Sequence, residues 1–245
     1  MLPVLIAIQA FVLFGLQPAL ASDRLALVTG EDYPPFVDAR EAGGGMAVQL
    51  VQQVLQRMRL TATIDIAPWR RGYEETLRGR YDATFPYIRT AQRERDFLYS
   101  DALFHVRPVV FMPANRRFAY RSAADLKGRR LCMALGYAAP PWLQEMVDRN
   151  EVEKVSANSG AACPSMLEAD RADFFIQDQR IGLAMIAKAG LSRAIVAVSD
   201  PPVATSDIHL IVPRNRAGAA ELIAQFNAAL AKTKSSGDYD RLLMQ

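Results

Sequence analysis

The stretch MAVQLVQQVLQRMRLTATIDI, residues 46–66, contains a helix pattern followed directly by a strand pattern. Its apolar residues recur at helical spacing from Met46 to Met58, so they would cover one face of a helix. Residues 61–66 are rich in Thr and Ile, which indicates a strand. Because residues 25–29 form another strand pattern ahead of the helix, this order predicts an α/β unit built on a largely parallel sheet.

The alternation of strands and helices continues to the end of the chain. Residues 69–77 predict a second helix, with Gly79 as a suitable end, and residues 81–85 predict a third strand. The pattern restarts with a helix at Ser122, followed by strands at 130–134, 152–156, 173–176, 195–198 and 208–212 and helices at 141–149, 162–169, 181–188 and 217–232, with a short helix near Tyr239. No Gly/Ser-rich linker separates the two halves, so we expect two α/β lobes joined by strands.

The composition is that of a globular protein, with 51% hydrophobic and 22% charged residues. The formal net charge is only +3 and the basic residues form no cluster, which gives no basis for nucleic-acid binding. His105 and His209 lie far apart in the sequence, and we expect neither a metal nor another cofactor. No nucleophile elbow or phosphate loop is visible, which favours a binding protein over an enzyme.

Residues 1–21 carry no charged side chain and end in Ala19-Leu20-Ala21. Their apolar run is too short for a comfortable membrane span, and Ala-Leu-Ala provides the small residues that signal peptidase requires. We therefore predict a signal peptide cleaved after Ala21, a periplasmic mature protein and no stable membrane insertion. Because no Lys or Arg precedes the apolar run, an uncleaved anchor is the alternative.

Export would place the two cysteines, Cys132 and Cys163, in an oxidising compartment, where they could form a disulfide. The alternative is two buried thiols that pack as small apolar side chains. Since both lie in the second half of the chain and no other cysteine is present, we predict that they pair.

Five short motifs follow the predicted signal peptide in a fixed order. They are Gly30-Glu-Asp-Tyr-Pro-Pro-Phe36, Gly79-x-x-Asp82-Ala, Thr90-x-x-Arg93 with Phe97-x-x-Ser100, Leu126-x-Gly128 and Asp173-x-x-x-x-Asp178. Each motif alone is common. Together, over nearly the whole mature chain, they resemble the extracellular solute-binding proteins of family 3, the polar amino-acid receptors of ABC importers.

This resemblance implies a type II periplasmic binding fold, in which two lobes close on a ligand as on a hinge. Lobe 1 would comprise residues 22–109 and 208–245 and lobe 2 residues 110–207, with crossing segments near 107–111 and 204–209. The implied function is that a monomer captures a small polar ligand, an amino acid or related carboxylate, and delivers it to an importer permease.

The resemblance also implies roles for individual residues. Tyr33 and Trp69 would form aromatic walls of the ligand site, Arg93 would hold the ligand carboxylate, and Asp178 would receive the α-amino group. A guanidinium suits the first task because its planar fork of donors can grip a carboxylate with two hydrogen bonds. The structural alternatives are a solvated charge for Arg93 and a helix N-cap for Asp178.

Further site residues follow from the same alignment of motifs. Gly136 and Tyr137 fall where the family presents backbone donors at the start of a helix, and Tyr87 replaces a Ser/Thr residue of the family's ligand shell. Arg71 is a further candidate, and together with Arg89 it could favour a ligand with an extra acidic group.

Two other functions are compatible with the same fold. One is a cyclohexadienyl dehydratase, for which Glu31 is the nearest candidate general acid. The other is a periplasmic sensor domain that signals to a partner protein. Fold alone does not separate these functions from transport.

Overall fold

The computed structural model describes residues 24–198, 203 and 206–244, which form three β-sheets of six, three and two strands with helices packed against them. The strands are β1 (Arg24–Thr29), β2 (Thr61–Ile66), β3 (Ala83–Ile88), β4 (Phe97–Tyr99), β5 (Phe104–Val106), β6 (Pro108–Pro113), β7 (Arg130–Ala134), β8 (Glu153–Ala157), β9 (Phe175–Asp178), β10 (Ile195–Val198) and β11 (Ser206–Pro213). The α-helices are α1 (Met46–Arg57), α2 (Trp69–Leu77), α3 (Ala91–Asp96), α4 (Pro141–Asp148), α5 (Cys163–Glu168), α6 (Gln179–Lys188), α7 (Ala219–Ser235) and α8 (Asp238–Leu243).

The first sheet has the strand order β2-β1-β3-β11-β4, and β5 also pairs with β11. β1 is parallel to β2 and β3, whereas β11 is antiparallel to β3, β4 and β5. α1 contributes fully buried Leu50, Val51 and Val54 to the core of this unit, as its apolar periodicity predicts. We call this sheet, together with α1, α2, α3, α7 and α8, the first lobe.

The second lobe contains the antiparallel strands β10-β6-β9, the parallel pair β7-β8, and α4, α5 and α6. A parallel bridge between Leu131 of β7 and Phe174, just before β9, connects the two groups of strands. Phe111 and Phe175 stack at 4.7 Å in the core on one side of this sheet.

The chain passes between the lobes twice. β5 pairs within the first sheet and β6 within the second, so the first passage lies at Arg107. The return lies between Val198 and Ser206, a segment of which the structure describes Val203. The predicted fold of two α/β lobes with two crossings is confirmed, while the boundaries at 109/110 and 207/208 stay a prediction.

Helix α6 also brings the lobes into contact. Its Ile181 and Met185 belong to the same buried apolar cluster as Phe36 of the first lobe. The guanidinium of Arg180 lies 5.5 Å from the centre of the Phe36 ring. The structure therefore shows the lobes packed against each other.

Several elements differ from their prediction in extent. The strand predicted at 173–176 is β9 at Phe175–Asp178, because Asp173 instead binds the backbone N–H and guanidinium of Arg130. The helix predicted to start at Ser122 is a single 3-10 turn, Ala123–Leu126. The short elements α3, β4 and β5 were not predicted, since a helix of six residues and strands of three carry too little periodicity to recognise.

The Cys132–Cys163 disulfide is confirmed and joins β7 to the first residue of α5, with the two Cα atoms 5.7 Å apart.

The predicted signal peptide, residues 1–21, lies outside the described residues. In the described ranges, no helix combines the length and the apolar character needed to cross a membrane. The same ranges contain no cluster of three or more His, Cys, Asp or Glu side chains that could hold a metal ion.

Candidate ligand-binding cleft

A cleft of about 210 Å³ lies between the two lobes. The first lobe lines it with the carboxyl end of β3 and the start of α2. The second lobe lines it with the loop after β7, the start of α4 and the carboxyl end of β9. Ligands of open α/β sheets collect at such strand ends, so this cleft is the candidate site.

Aromatic rings form much of the cleft wall, and Trp69 is their common neighbour. Tyr33, Tyr87 and Tyr137 each meet its indole edge to face, with ring centres 5.7, 5.7 and 5.9 Å away. The indole N–H donates to the backbone carbonyl of Glu31 at 2.7 Å, which fixes the ring. Burial raises the pKa of Tyr87 to about 12, and burial together with the charge of Asp178 raises the pKa of Tyr33 further, so both phenols stay neutral.

Arg93 is a buried cation of the cleft, only 8% exposed. Its guanidinium donates to the carbonyl oxygens of Ile88 at 3.1 Å and Gly136 at 3.0 Å, and it lies 4.8 Å from the centre of the Tyr87 ring. No carboxylate of the described residues pairs with it, and burial lowers its pKa. Two of the five N–H groups of a guanidinium are thus used, and the remaining ones can serve a ligand.

Asp178 lines the opposite side of the cleft at the end of β9 and is 4% exposed. One carboxylate oxygen accepts from the backbone N–H of Arg180 at 3.0 Å and so caps α6, as the structural alternative predicts. The other accepts from the backbone N–H of Arg107, at the first crossing between the lobes, at 2.9 Å. Asp178 therefore combines a structural role with a position in the cleft.

Gly136 lies where the two lobes approach each other closely along the cleft. Its φ of +86° is a conformation that suits glycine. A Cβ atom added here would lie 2.6 Å from the backbone nitrogen of Arg70 and 2.9 Å from Cβ of Trp69, both in the first lobe. A glycine at this position thus permits the contact through which Gly136 accepts the hydrogen bond from Arg93.

Tyr137 lines both the cleft and a smaller cavity of about 50 Å³ behind it in the second lobe. Its hydroxyl is buried and has no hydrogen-bond partner in the described part of the chain. The predicted cleft residues Tyr33, Trp69, Tyr87, Arg93, Gly136, Tyr137 and Asp178 are thus brought together.

Two predicted arginines differ in position. Arg71 does not line the cleft; its side chain is 63% exposed and pairs with Glu75, four residues on in α2, at 3.0 Å. Arg89 does line the cleft, pairs with Glu94 at 2.8 Å, and lies 4.6 Å from the centre of the Tyr99 ring.

Three polar or aromatic residues of the lining were not predicted: Trp142, Gln177 and Ser206. Trp142 lies in the first turn of α4, directly after Pro140-Pro141, just as Trp69 follows Pro68 at the start of α2, and this similarity is the signal by which Trp142 could have been found. Gln177 precedes Asp178 and accepts a hydrogen bond from the backbone N–H of that residue at 2.9 Å. Ser206 begins β11 and offers no comparable pattern in the sequence.

Comparison with known proteins shows the family by sequence and the fold by structure. The family model for bacterial extracellular solute-binding proteins, family 3, matches residues 25–245. The ABC transporter arginine-binding protein 1 of Escherichia coli (strain K12) is 25% identical over 244 residues, which cover 98% of this chain and 96% of that protein.

Among solved structures, a histidine kinase sensor domain with similarity to periplasmic binding proteins aligns with a TM-score of 0.78 at 20% identity, covering 91% of this chain and 95% of that chain. An ancestral arginine-binding protein bound to arginine gives a TM-score of 0.75 at 18% identity, covering 89% and 96%.

The structural likenesses, at low identity, confirm the type II periplasmic binding fold that the motifs predict. The family match adds sequence evidence and spans nearly all of the described residues. It agrees with the two-lobe topology and with the position of the cleft. This chain belongs to the bacterial extracellular solute-binding proteins of family 3.

Proposed function

We propose that this protein captures an amino acid or a related carboxylate in its cleft and delivers it to the permease of an ABC importer. Family membership supports a solute-binding role, and the curated relative is named as an arginine-binding protein of an ABC transporter. The protein acts as a monomer in this proposal, and closure of the lobes accompanies binding.

The observation that carries this proposal is the buried guanidinium of Arg93. A buried charge is costly unless a partner compensates it, and no carboxylate in the described ranges does so. The free donors of Arg93 lie in a cleft of ligand size. A ligand carboxylate would therefore supply the missing partner through two parallel hydrogen bonds.

Asp178 completes the proposed clamp from the second lobe. Its two oxygens accept one backbone N–H each, and a carboxylate can accept about four hydrogen bonds in all. Capacity thus remains for the α-amino group of the ligand. Because Arg93 and Asp178 come from different lobes, a ligand held by both would couple binding to closure.

The test uses the fluorescence of the two tryptophans of the chain, Trp69 and Trp142, both of which line the cleft. A screen of amino acids and small organic acids first identifies a ligand. Arg93→Gln should then lose roughly thirtyfold to several thousandfold in affinity, because truncating one partner of a desolvated charged contact typically costs about 2–5 kcal/mol.

The matched control is Arg78→Gln, which removes an exposed arginine at the far end of α2 that pairs only loosely with Glu74 at 3.4 Å. It should bind like the wild type. Unchanged affinity in Arg93→Gln, or the absence of any carboxylate ligand in the screen, would contradict the proposed function.

The proposal includes export to the periplasm, with residues 1–21 removed after Ala21. Mass spectrometry of the periplasmic fraction should find Ser22 as the mature N-terminus. A chain that stays in the membrane with residues 1–21 attached would support the uncleaved anchor instead.

The proposal treats the protein as a binding protein rather than an enzyme. The candidate acid for dehydratase chemistry, Glu31, is exposed and does not line the cleft. Incubation with prephenate or arogenate should leave the ultraviolet absorbance unchanged, and a growing absorbance of product would favour the enzyme.

The likeness to a histidine kinase sensor domain makes a sensory role the second candidate function. Binding of a kinase rather than a permease, measured by affinity capture of the partner, would distinguish this role from transport.

A further inference from the structure

Among the residues that the structure describes, three charged side chains line the cleft, and the protein compensates two of them. Arg89 pairs with Glu94 at 2.8 Å. Asp178 accepts two backbone N–H groups and lies 3.7 Å from the guanidinium of Arg180. Arg93 has no acidic partner among the described residues. The uncompensated charge of the cleft is therefore a single buried cation.

The rest of the lining offers little to a second charged group. Within ranges 24–198, 203 and 206–244, the lining beyond Gln177 and Ser206 consists of glycine, aliphatic, proline and aromatic residues, including both tryptophans of the chain. Asp32 acts on Tyr137 through its charge, but it does not line the cleft. Because the proposed function assigns Asp178 to the α-amino group, a cationic ligand side chain would lose its hydration without gaining a further carboxylate from the described lining.

Cation–π attraction is the effect that opposes this exclusion, because the tyrosine and tryptophan faces attract cations. These rings, however, already have partners within the protein. Trp69 makes edge-to-face contacts with three tyrosines, and the guanidinium of Arg93 lies against the Tyr87 ring, so their faces are less available to a ligand cation. A second cation would also be repelled by Arg93 across a medium of low dielectric constant. The balance therefore lies against a cationic side chain.

We propose that the cleft selects carboxylate ligands with an uncharged, apolar or aromatic body and discriminates against cationic side chains. This inference rests on the proposed function and narrows its ligand class. It separates this chain from the relatives named as arginine-binding, whose ligand carries a guanidinium.

The test compares ligands that differ mainly in one positive charge. Norleucine and lysine share the same carbon chain, and citrulline and arginine share nearly the same shape. With the mature protein and tryptophan fluorescence as the readout, norleucine should bind at least tenfold more tightly than lysine, and citrulline at least tenfold more tightly than arginine. Phenylalanine should bind at least as tightly as citrulline because the cleft is lined by rings.

Equal or tighter binding of lysine or arginine than of their neutral partners would overturn the inference. If that binding is lost in Arg93→Gln, the proposed function stands and only the ligand class is wrong. If none of the neutral probes binds while another carboxylate does, the proposed preference for ligands with an uncharged, apolar or aromatic body is wrong. If binding of every ligand is indifferent to Arg93→Gln, the proposed function itself fails.

Discussion

A methyl group added at Gly136 should act as a wedge between the lobes. In Gly136→Ala the new Cβ would lie 2.6 Å from the backbone nitrogen of Arg70, where real contacts are essentially never below 3.0 Å. The opposing atoms belong to backbone and to Cβ of Trp69, so no flexible side chain can move aside. The lobes must therefore separate at this point, which also stretches the 3.0 Å hydrogen bond from Arg93 to the Gly136 carbonyl.

Two energetic costs follow from this substitution, and they act on different measurements. The φ of +86° costs an alanine about 1–2 kcal/mol whether the lobes are apart or together, so it lowers stability. The overlap with Arg70 exists only when the lobes are packed together. Overpacking of this kind costs typically about 1–3 kcal/mol, so ligand affinity should fall roughly five- to 150-fold.

Gly79→Ala provides the matched control for backbone strain. Its φ of +83° is nearly the same, but no atom lies within 4 Å of the position its Cβ would occupy. Both variants should melt a few degrees below the wild type, by about 2–4 °C for each kcal/mol in a chain of this size. Only Gly136→Ala should lose affinity in a fluorescence titration with the ligand found by screening.

Wild-type affinity in Gly136→Ala would refute the reasoning, since the packed arrangement of the lobes would then not be the ligand-binding one. An equal loss of affinity in Gly79→Ala would refute it differently, because backbone strain alone would account for the effect.

Two further predictions concern stability. Replacing Cys132 and Cys163 together by Ser should lower the free energy of unfolding, measured with urea, by about 4 kcal/mol. This value follows from the chain-entropy model for a separation of 31 residues. Two free thiols on alkylation of the wild-type protein would show that the bond does not form. Burial holds the pKa of His209 below its usual value of about 6.5, so the unfolded state takes up a proton first as pH falls. The free energy of unfolding should therefore decline as the pH falls below about 6.5, until the pKa of His209 in the folded state is reached. This group contributes at most about 1.4 kcal/mol per pH unit to the decline. A His209→Gln variant with the same pH profile of stability as the wild type would contradict this origin.

Much of the fold could be predicted because long elements carry their own pattern. The helix α2 and the strands β2, β7 and β10 have the predicted residues, and each is bounded by a turn or a change of period. β4 and β5 could not be found this way, because each has three residues and exists only through pairing with β11, about a hundred positions later. Their existence depends on long-range contacts that no local pattern encodes.

The cleft shows the same division. Arg93 and Asp178 were predicted because each lies in a short motif of the family, Thr90-x-x-Arg93 and Asp173-x-x-x-x-Asp178, whose spacing is visible in the sequence. Ser206 and Gln177 could not be predicted because neither belongs to a recognisable motif, and only the approach of the two lobes brings them into the same cleft. Arg71 shows the opposite error: Glu75 follows it by four residues, the spacing of an exposed helical ion pair, and that spacing was available in the sequence.

The position of β11 inside the first sheet also sets the order in which this protein can be assembled. β11 lies between β3 and β4, although more than a hundred residues, most of them in the second lobe, separate it from them along the chain. During synthesis, β3, β4 and β5 are made long before β11, the strand with which they pair. Every described strand of the second lobe, in contrast, is made before β11 emerges. The N-terminal lobe should accordingly be the last to become stable, and we expect the long-range pairing of β11 with β3, β4 and β5 to slow its folding. A chain that ends before Ser206 would lack the strand that joins β3 to β4 and β5, so the final 40 residues determine whether the other half of the cleft forms at all.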